Sequence, residues 1–153
     1  SYALKELIED AENVIIMGHR NADVDVMGSA LGLFRACTAL GKEVKLLMQS
    51  YNQSVKNLID LLDDEYDDFI INEAYASEIL TKKTLIIVAD THMKSLLEAP
   101  QLLECTSRIV VIDHHRRSAD FIDNAVLTYH EPYASSASEL IPKCSSIWTV
   151  RLC

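Results

Sequence analysis

Three short stretches set aspartate beside histidine. The first is Gly18-His19-Arg20-Asn21-Ala22-Asp23-Val24-Asp25, the second Asp90-Thr91-His92 and the third Asp113-His114-His115. Each alone says little. An Asp after an apolar run is commonly a helix N-cap, and a lone His is commonly structural. Together they are hard to read as caps, because crowded carboxylates repel one another unless cations sit among them. Oxygen ligands with some imidazole suit Mn²⁺, Mg²⁺ or Fe²⁺, whereas zinc leans towards Cys and His. The spacing His-x-x-x-Asp-x-Asp puts His19, Asp23 and Asp25 on one tight loop. In an extended stretch Asp23 and Asp25 point the same way. They could then feed two neighbouring cations, with Asp90 as the bridge. Two cations about 3.5–4 Å apart are a standard device for in-line attack on phosphorus. Gly28-Ser29, expected at the start of the following helix, would let a phosphate approach backbone amides at a positive helix end.

The surrounding elements must position these residues. Five short apolar runs, at residues 14–17, 44–47, 69–71, 85–88 and 109–112, read as strands. Near-continuous Val, Ile and Leu marks central parallel strands buried on both faces. Residues 125–129 alternate more and could form an edge strand. Between the runs lie helical patterns. Residues 25–40 carry Val26, Ala30, Leu33 and Cys37 on one face, with Gly41 where a C-cap belongs. Residues 52–62 repeat the pattern with Val55, Leu58, Ile59 and Leu62, and residues 2–8 and 133–141 complete the set. Strands alternating with helices predict an α/β fold: a Rossmann-like, mostly parallel five-stranded sheet flanked by helices. Such sheets bind ligands outside the carboxyl ends of their strands. Three of the five predicted strands end in Asp and His on that edge.

Composition agrees with a single globular domain. The 153 residues include 14 Lys plus Arg and 23 Asp plus Glu, a net charge of −9, with 49% hydrophobic and 24% charged residues. This describes a globular chain and not a disordered one, long enough to bury about 68–70% of its unfolded surface. No apolar run approaches the ~20 residues of a membrane span. No basic segment followed by an apolar one opens the sequence, so the expectation is a cytoplasmic protein. The acidic balance argues against duplex DNA as a partner, and allows an anionic substrate if cations neutralise the site. Cys37, Cys105, Cys144 and Cys153 form no CxxC pair and no zinc spacing. They read as buried or incidental thiols in a reducing compartment. The acidic run at residues 63–68 reads as a solvated loop.

In combination the three motifs resemble the DHH phosphoesterase superfamily, which takes its name from the third. Met17-Gly18-His19-Arg20-Asn21, Val110-Val111-Ile112-Asp113-His114-His115-Arg116-Arg117 and Glu131-Pro132-Tyr133-Ala134-Ser135-Ser136 resemble its cyclic-di-AMP phosphodiesterases of the GdpP type, over about residues 2–141. The resemblance implies a manganese-dependent hydrolase that opens cyclic di-AMP to the linear dinucleotide by a two-metal mechanism. It implies that His19, Asp23 and Asp90 hold one Mn²⁺, and that Asp25, Asp90 and His114 hold the second. His115 would face the scissile phosphate as electrophile or proton donor, and Asp113 would orient the histidine pair. Ser135, Ser136 and Glu139 match a motif near the site, and Arg116 and Arg117 would meet a nucleotide phosphate.

The sequence also departs from the family pattern. Met93-Lys94 stands where Arg-Pro is usual, and Ala22 replaces a common Pro. A further aspartate expected on the second metal is not found. Residues 142–153 do not resemble the family's continuation, and Pro142 stands where the last helix would extend. The expectation is a phosphoesterase domain over residues 2–141 with an atypical tail. It would lack the substrate-gripping DHHA1 domain and the membrane anchor of the GdpP type. By itself it would make no membrane contact, could form a homodimer and could have little activity. Two other readings stay open. One is the same chemistry on short RNA, single-stranded DNA or pyrophosphate. The other is a fragment that binds metal or nucleotide without turnover.

Overall fold

The computed structural model describes residues 2–113 and 120–130. Helix α1 (Tyr2–Asp10) leads into strand β1 (Val14–Met17), followed by α2 (Val24–Ala39), β2 (Val44–Leu47) and α3 (Gln53–Leu61). Then come β3 (Ile70–Ile71), α4 (Glu73–Ile79), β4 (Leu85–Ala89), β5 (Ile109–Asp113) and β6 (Leu127–His130). Short 3₁₀ segments lie at Asp64–Tyr66, Lys94–Leu96 and Pro100–Cys105. One sheet of six strands runs in the order β3-β2-β1-β4-β5-β6, with every pairing parallel.

The continuous apolar runs have the physical cause the sequence suggests. Every residue of β1, β4 and β5 is buried, because helices or 3₁₀ turns cover both faces of the sheet. Val14 and Ile16 of β1 face Leu4, Ile8, Val26 and Leu33 from α1 and α2. Ile15 and Met17 face the other way, among Ala76, Leu102, Leu103 and Ile122. The alternation along one strand thus builds two cores.

The sheet has six strands where five were expected. The alternating segment at 125–129 supplies the extra one, pairing Val110 with Leu127 and Asp113 with His130. Helix α4 is also absent from the sequence expectation. It has seven residues, of which only Ala76 is buried, too few for a 3.6-residue period to stand out. The helix expected at 133–141 lies outside the described residues.

Two glycines set the path of α2. Gly41 takes φ +75° just past its end. There the Gly41 and Lys42 amides donate to the Thr38 and Cys37 carbonyls, both at 3.0 Å, closing the helix as a Schellman motif. Gly18, straight after β1, lets the first turn of α2 come close. A Cβ there would lie 2.6 Å from Val26 Cγ1, and Val26 is buried and stiff at χ1. Gly18→Ala is therefore expected to cost about 1–3 kcal/mol through overpacking, read from urea denaturation. Wild-type stability in that variant would contradict the close approach.

The strand order carries the functional consequence. From β1 the chain builds outward through β2 to β3, then crosses back to place β4 on the other side of β1. The order reverses between β1 and β4. Loops leaving adjacent strands at such a point diverge and open a crevice at the carboxyl ends.

Candidate metal centre

The crevice is filled from both of its strands. His19 leaves β1, and its Nδ1–H donates to the Arg20 carbonyl at 2.8 Å. This bond fixes the ring and turns Nε2 towards the crevice. Asp23 caps α2 in extended conformation. Its Oδ1 accepts from the Asp25 and Val26 amides at 3.1 and 3.2 Å, while Oδ2 lies 3.7 Å from His19 Nε2. One carboxylate thus caps the helix with one oxygen and turns the other towards His19. Asp90 follows β4 and takes φ +65°, a left-handed conformation that Asp tolerates better than most residues. Its amide donates to the Ile112 carbonyl at 2.9 Å, and its Oδ2 lies 3.8 Å from His19 Nε2. One ligand atom from each of His19, Asp23 and Asp90 falls within 4.8 Å of the other two.

This donor set fits a divalent cation. With Nδ1 donating to a carbonyl, a neutral His19 would aim its Nε2 lone pair at two carboxylate oxygens. Something positive must sit between them. Without metal it is a proton: His19 is pushed up to about 9, chiefly by the Asp90 carboxylate against the opposing effect of burial, with the Arg20 carbonyl and the Asp23 charge adding to it. One imidazole and two carboxylates make a hard set that suits Mn²⁺, Mg²⁺ or Fe²⁺.

A pH dependence follows. At pH 7 His19 is protonated in the metal-free chain, so a cation must displace that proton. Apparent affinity is expected to rise by roughly tenfold per pH unit from pH 7 towards 9 and then level off. Calorimetry in buffers of different ionisation enthalpy should show about one proton released per ion at pH 7. The raised value also means that metal-free stability, from this group, is full below pH 6.5 and falls as pH rises through about 9. Affinity independent of pH between 7 and 9 would rule His19 out as a ligand.

Other expected residues fall differently. Asp25 sits on the first turn of α2, because the helix begins at Val24; it is not on an extended stretch with Asp23. It still lines the same cleft of about 360 Å³, with His19, Asp23, Asp90 and His92. The expectation for Gly28-Ser29 is not met. Ser29 lies in the second turn of α2, past the free amides, and is fully buried. Its Oγ makes no hydrogen bond among the described residues. Asp113 is fully buried, and its described partner is His92, whose Nδ1 lies 2.5 Å from Asp113 Oδ2. His114, His115, Arg116, Arg117, Ser135, Ser136 and Glu139 lie outside the described residues.

Two cleft residues with titratable side chains, His92 and Arg20, were given no role by sequence reasoning. His92 stands two residues after Asp90, a signal visible in the Asp-Thr-His triplet. Arg20 also lines the cleft, with its guanidinium donating to the Ser95 carbonyl at 2.9 Å. Cys37 is buried in the core, and burial pushes its thiol up to about 12. Among the described residues no helix is long and apolar enough to cross a membrane.

Fold and site together define an open parallel α/β domain that gathers, at its switch point, residues able to hold a cation. The family model described as DHH family, N-terminal domain, matches residues 13–149, and the chain belongs to this family. It is 41% identical to the cyclic-di-AMP phosphodiesterase PdeA of Listeria monocytogenes over 92% of its own length and 22% of that protein's. Against the cyclic-di-AMP phosphodiesterase GdpP of Bacillus subtilis the identity is 40%, over the same shares. The chain therefore spans about a fifth of the length of these curated relatives. A probable bifunctional oligoribonuclease and PAP phosphatase, NrnA of Streptococcus mutans, is 27% identical over 88% of this chain and 38% of that protein. Among solved structures, an exopolyphosphatase-related protein from Bacteroides fragilis shares the fold. It has a TM-score of 0.75 at 20% identity, over 96% of this chain and 43% of that one.

Proposed function

We propose that this chain is the hydrolytic domain of a metal-dependent phosphodiesterase that opens cyclic di-AMP to the linear dinucleotide. The observation that carries the reading is the 40–41% identity to cyclic-di-AMP phosphodiesterases over 92% of the chain, joined to the His19, Asp23 and Asp90 group at the switch point. His19, Asp23 and Asp90 would hold one divalent cation, and Asp25, Asp90 and His114 a second, with Mn²⁺ the first choice. Bound there, the cations would activate water and neutralise charge on the phosphoryl oxygens. His115 would face the scissile phosphate and give its proton to the leaving ribose oxygen as the bond to phosphorus breaks. Arg116, Arg117, Ser135 and Ser136 would bind the nucleotide around that phosphate.

The test is a substrate panel with the purified chain and Mn²⁺: cyclic di-AMP, short linear RNA, single-stranded DNA and pyrophosphate. Cleavage of cyclic di-AMP to the linear product is expected. His115→Ala should keep metal binding and lower kcat by about 10²–10⁴-fold. Strong preference for linear RNA would favour the second reading, which the likeness to NrnA supports. Metal binding without turnover on any member of the panel would leave a binding fragment.

A further inference from the structure

The segment after β4 is fastened at two places, to the end of β5 and to the segment that precedes β6. In the first, His92 Nδ1–H donates to Asp113 Oδ2 across 2.5 Å, with His92 5% and Asp113 0% exposed. In the second, the Ile122 amide donates to the His92 carbonyl at 2.8 Å and the Lys94 amide to the Asp120 carbonyl at 3.1 Å. Met93 and Phe121 bridge antiparallel beside them. The Ser95 amide and hydroxyl both give to Asp120 Oδ2. One short piece, residues 92–95, therefore holds the chain at Asp113 and again at 120–122. These anchors flank residues 114–119 in sequence.

Stability does not account for the first anchor. Asp113 ends a strand whose other residues are Ile and Val, all buried. A buried polar pair at such a place often costs as much as it returns, and apolar residues of similar volume commonly do as well or better. Its location is more telling. His92 is two residues from Asp90, and Asp113 immediately precedes His114. The strands that carry them are in register, Ala89 beside Ile112.

We propose that His92 and Asp113 are a positioning pair, fixing the Asp90 turn relative to the chain that enters His114 and His115. The proposal rests on the phosphodiesterase reading above and gives His92 a role within it. The pair would act through the two segments that it joins, without touching substrate.

The experiment compares the wild-type chain with His92→Asn and with the double variant His92→Phe/Asp113→Leu. Asn keeps an N–H donor near the place of Nδ1. The double variant removes the bond and fills the space with apolar groups, so no buried carboxylate is left unpaired. Mn²⁺ affinity and stoichiometry are read by calorimetry, kcat and KM on cyclic di-AMP, and melting by circular dichroism. The double variant is expected to melt within a few degrees of wild type, with Mn²⁺ affinity or kcat lower by about 10–100-fold. His92→Asn is expected to stay within about threefold of wild type. Wild-type affinity and kcat in the double variant overturn the proposal, and so does an equal loss in His92→Asn. Should the double variant not fold, Asp113→Asn keeps the shape and weakens the bond. It is then expected to lose about tenfold in affinity or kcat, and unchanged values overturn the proposal. A wild-type chain that neither binds Mn²⁺ nor cleaves any phosphoester defeats the phosphodiesterase reading itself, a result distinct from those with the variants.

Discussion

Asp90→Asn is expected to leave the chain folded and to remove its cation binding. Three features make this substitution informative. Asp90 is buried at the switch point, so no other carboxylate can swing into its place from solvent. It holds φ +65°, which Asn adopts at least as readily as Asp, while Ala would add backbone strain of about 1 kcal/mol or more. The change keeps one neutral oxygen and removes the charge beside His19. Loss of an outer partner typically costs ~10–100-fold in affinity; loss of a shared ligand should exceed ~100-fold and abolish detectable turnover. Calorimetry with Mn²⁺ reads the first, and product formation from cyclic di-AMP the second. Mn²⁺ affinity within tenfold of wild type would remove Asp90 from the site. The same variant lacks the main cause of the raised His19 value, so His19 should titrate closer to the usual 6.5 in a proton NMR titration.

The largest expected effect on stability belongs to Asp113→Ala. Asp113 has no exposed surface, and His92 beside it has little. Deleting the carboxylate leaves a buried ring nitrogen without the acceptor at 2.5 Å and opens a small void between β4 and β5. Breaking a buried pair from one side costs about 3–5 kcal/mol when the survivor keeps its charge, and about 1–3 when it is neutral. For a chain of this size about 3 kcal/mol is a sizeable share of the ~5–15 kcal/mol of a whole domain. Urea denaturation reads it directly, and a loss below about 1 kcal/mol would mean that water reaches the pair.

How much of this was legible beforehand follows from what each residue's type depends on. The strands were legible because burial on both faces forces runs such as Ile109-Val110-Val111-Ile112. The site edge was legible because His19, Asp90 and Asp113 each follow such a run. The grouping of His19, Asp23 and Asp90 came from motif spacing and the family resemblance, and these three do meet; the pairing of His92 with Asp113 was not legible, since it depends on strand order. Only the placement of β1 beside β4 puts His19 near Asp90, and only β4 beside β5 puts His92 on Asp113. Hydrophobic periodicity has no term for neighbours. Asp25 and Ser29 show the related difficulty of helix starts: a boundary at Val24 takes Asp25 off the loop and Ser29 away from the free amides. Helix α4 was too short for its period to register, and Gly18 reads as an ordinary turn residue until Val26 is seen against it.

The switch-point crevice has a kinetic consequence. His19 and Asp90 come from segments far apart in sequence, and they meet only when β1 has paired with β4. That pairing is non-local, the kind of contact that closes slowly because a long loop must be ordered first. The proposed three-ligand cation site would therefore not exist in the unfolded chain or in either half of the sheet. An ion held there would recognise only the assembled product. It should slow unfolding while leaving the folding rate nearly untouched, as an interaction absent from the transition state does. Persistence of the domain at high temperature would then follow the free cation concentration around it, rather than how fast the chain first folds.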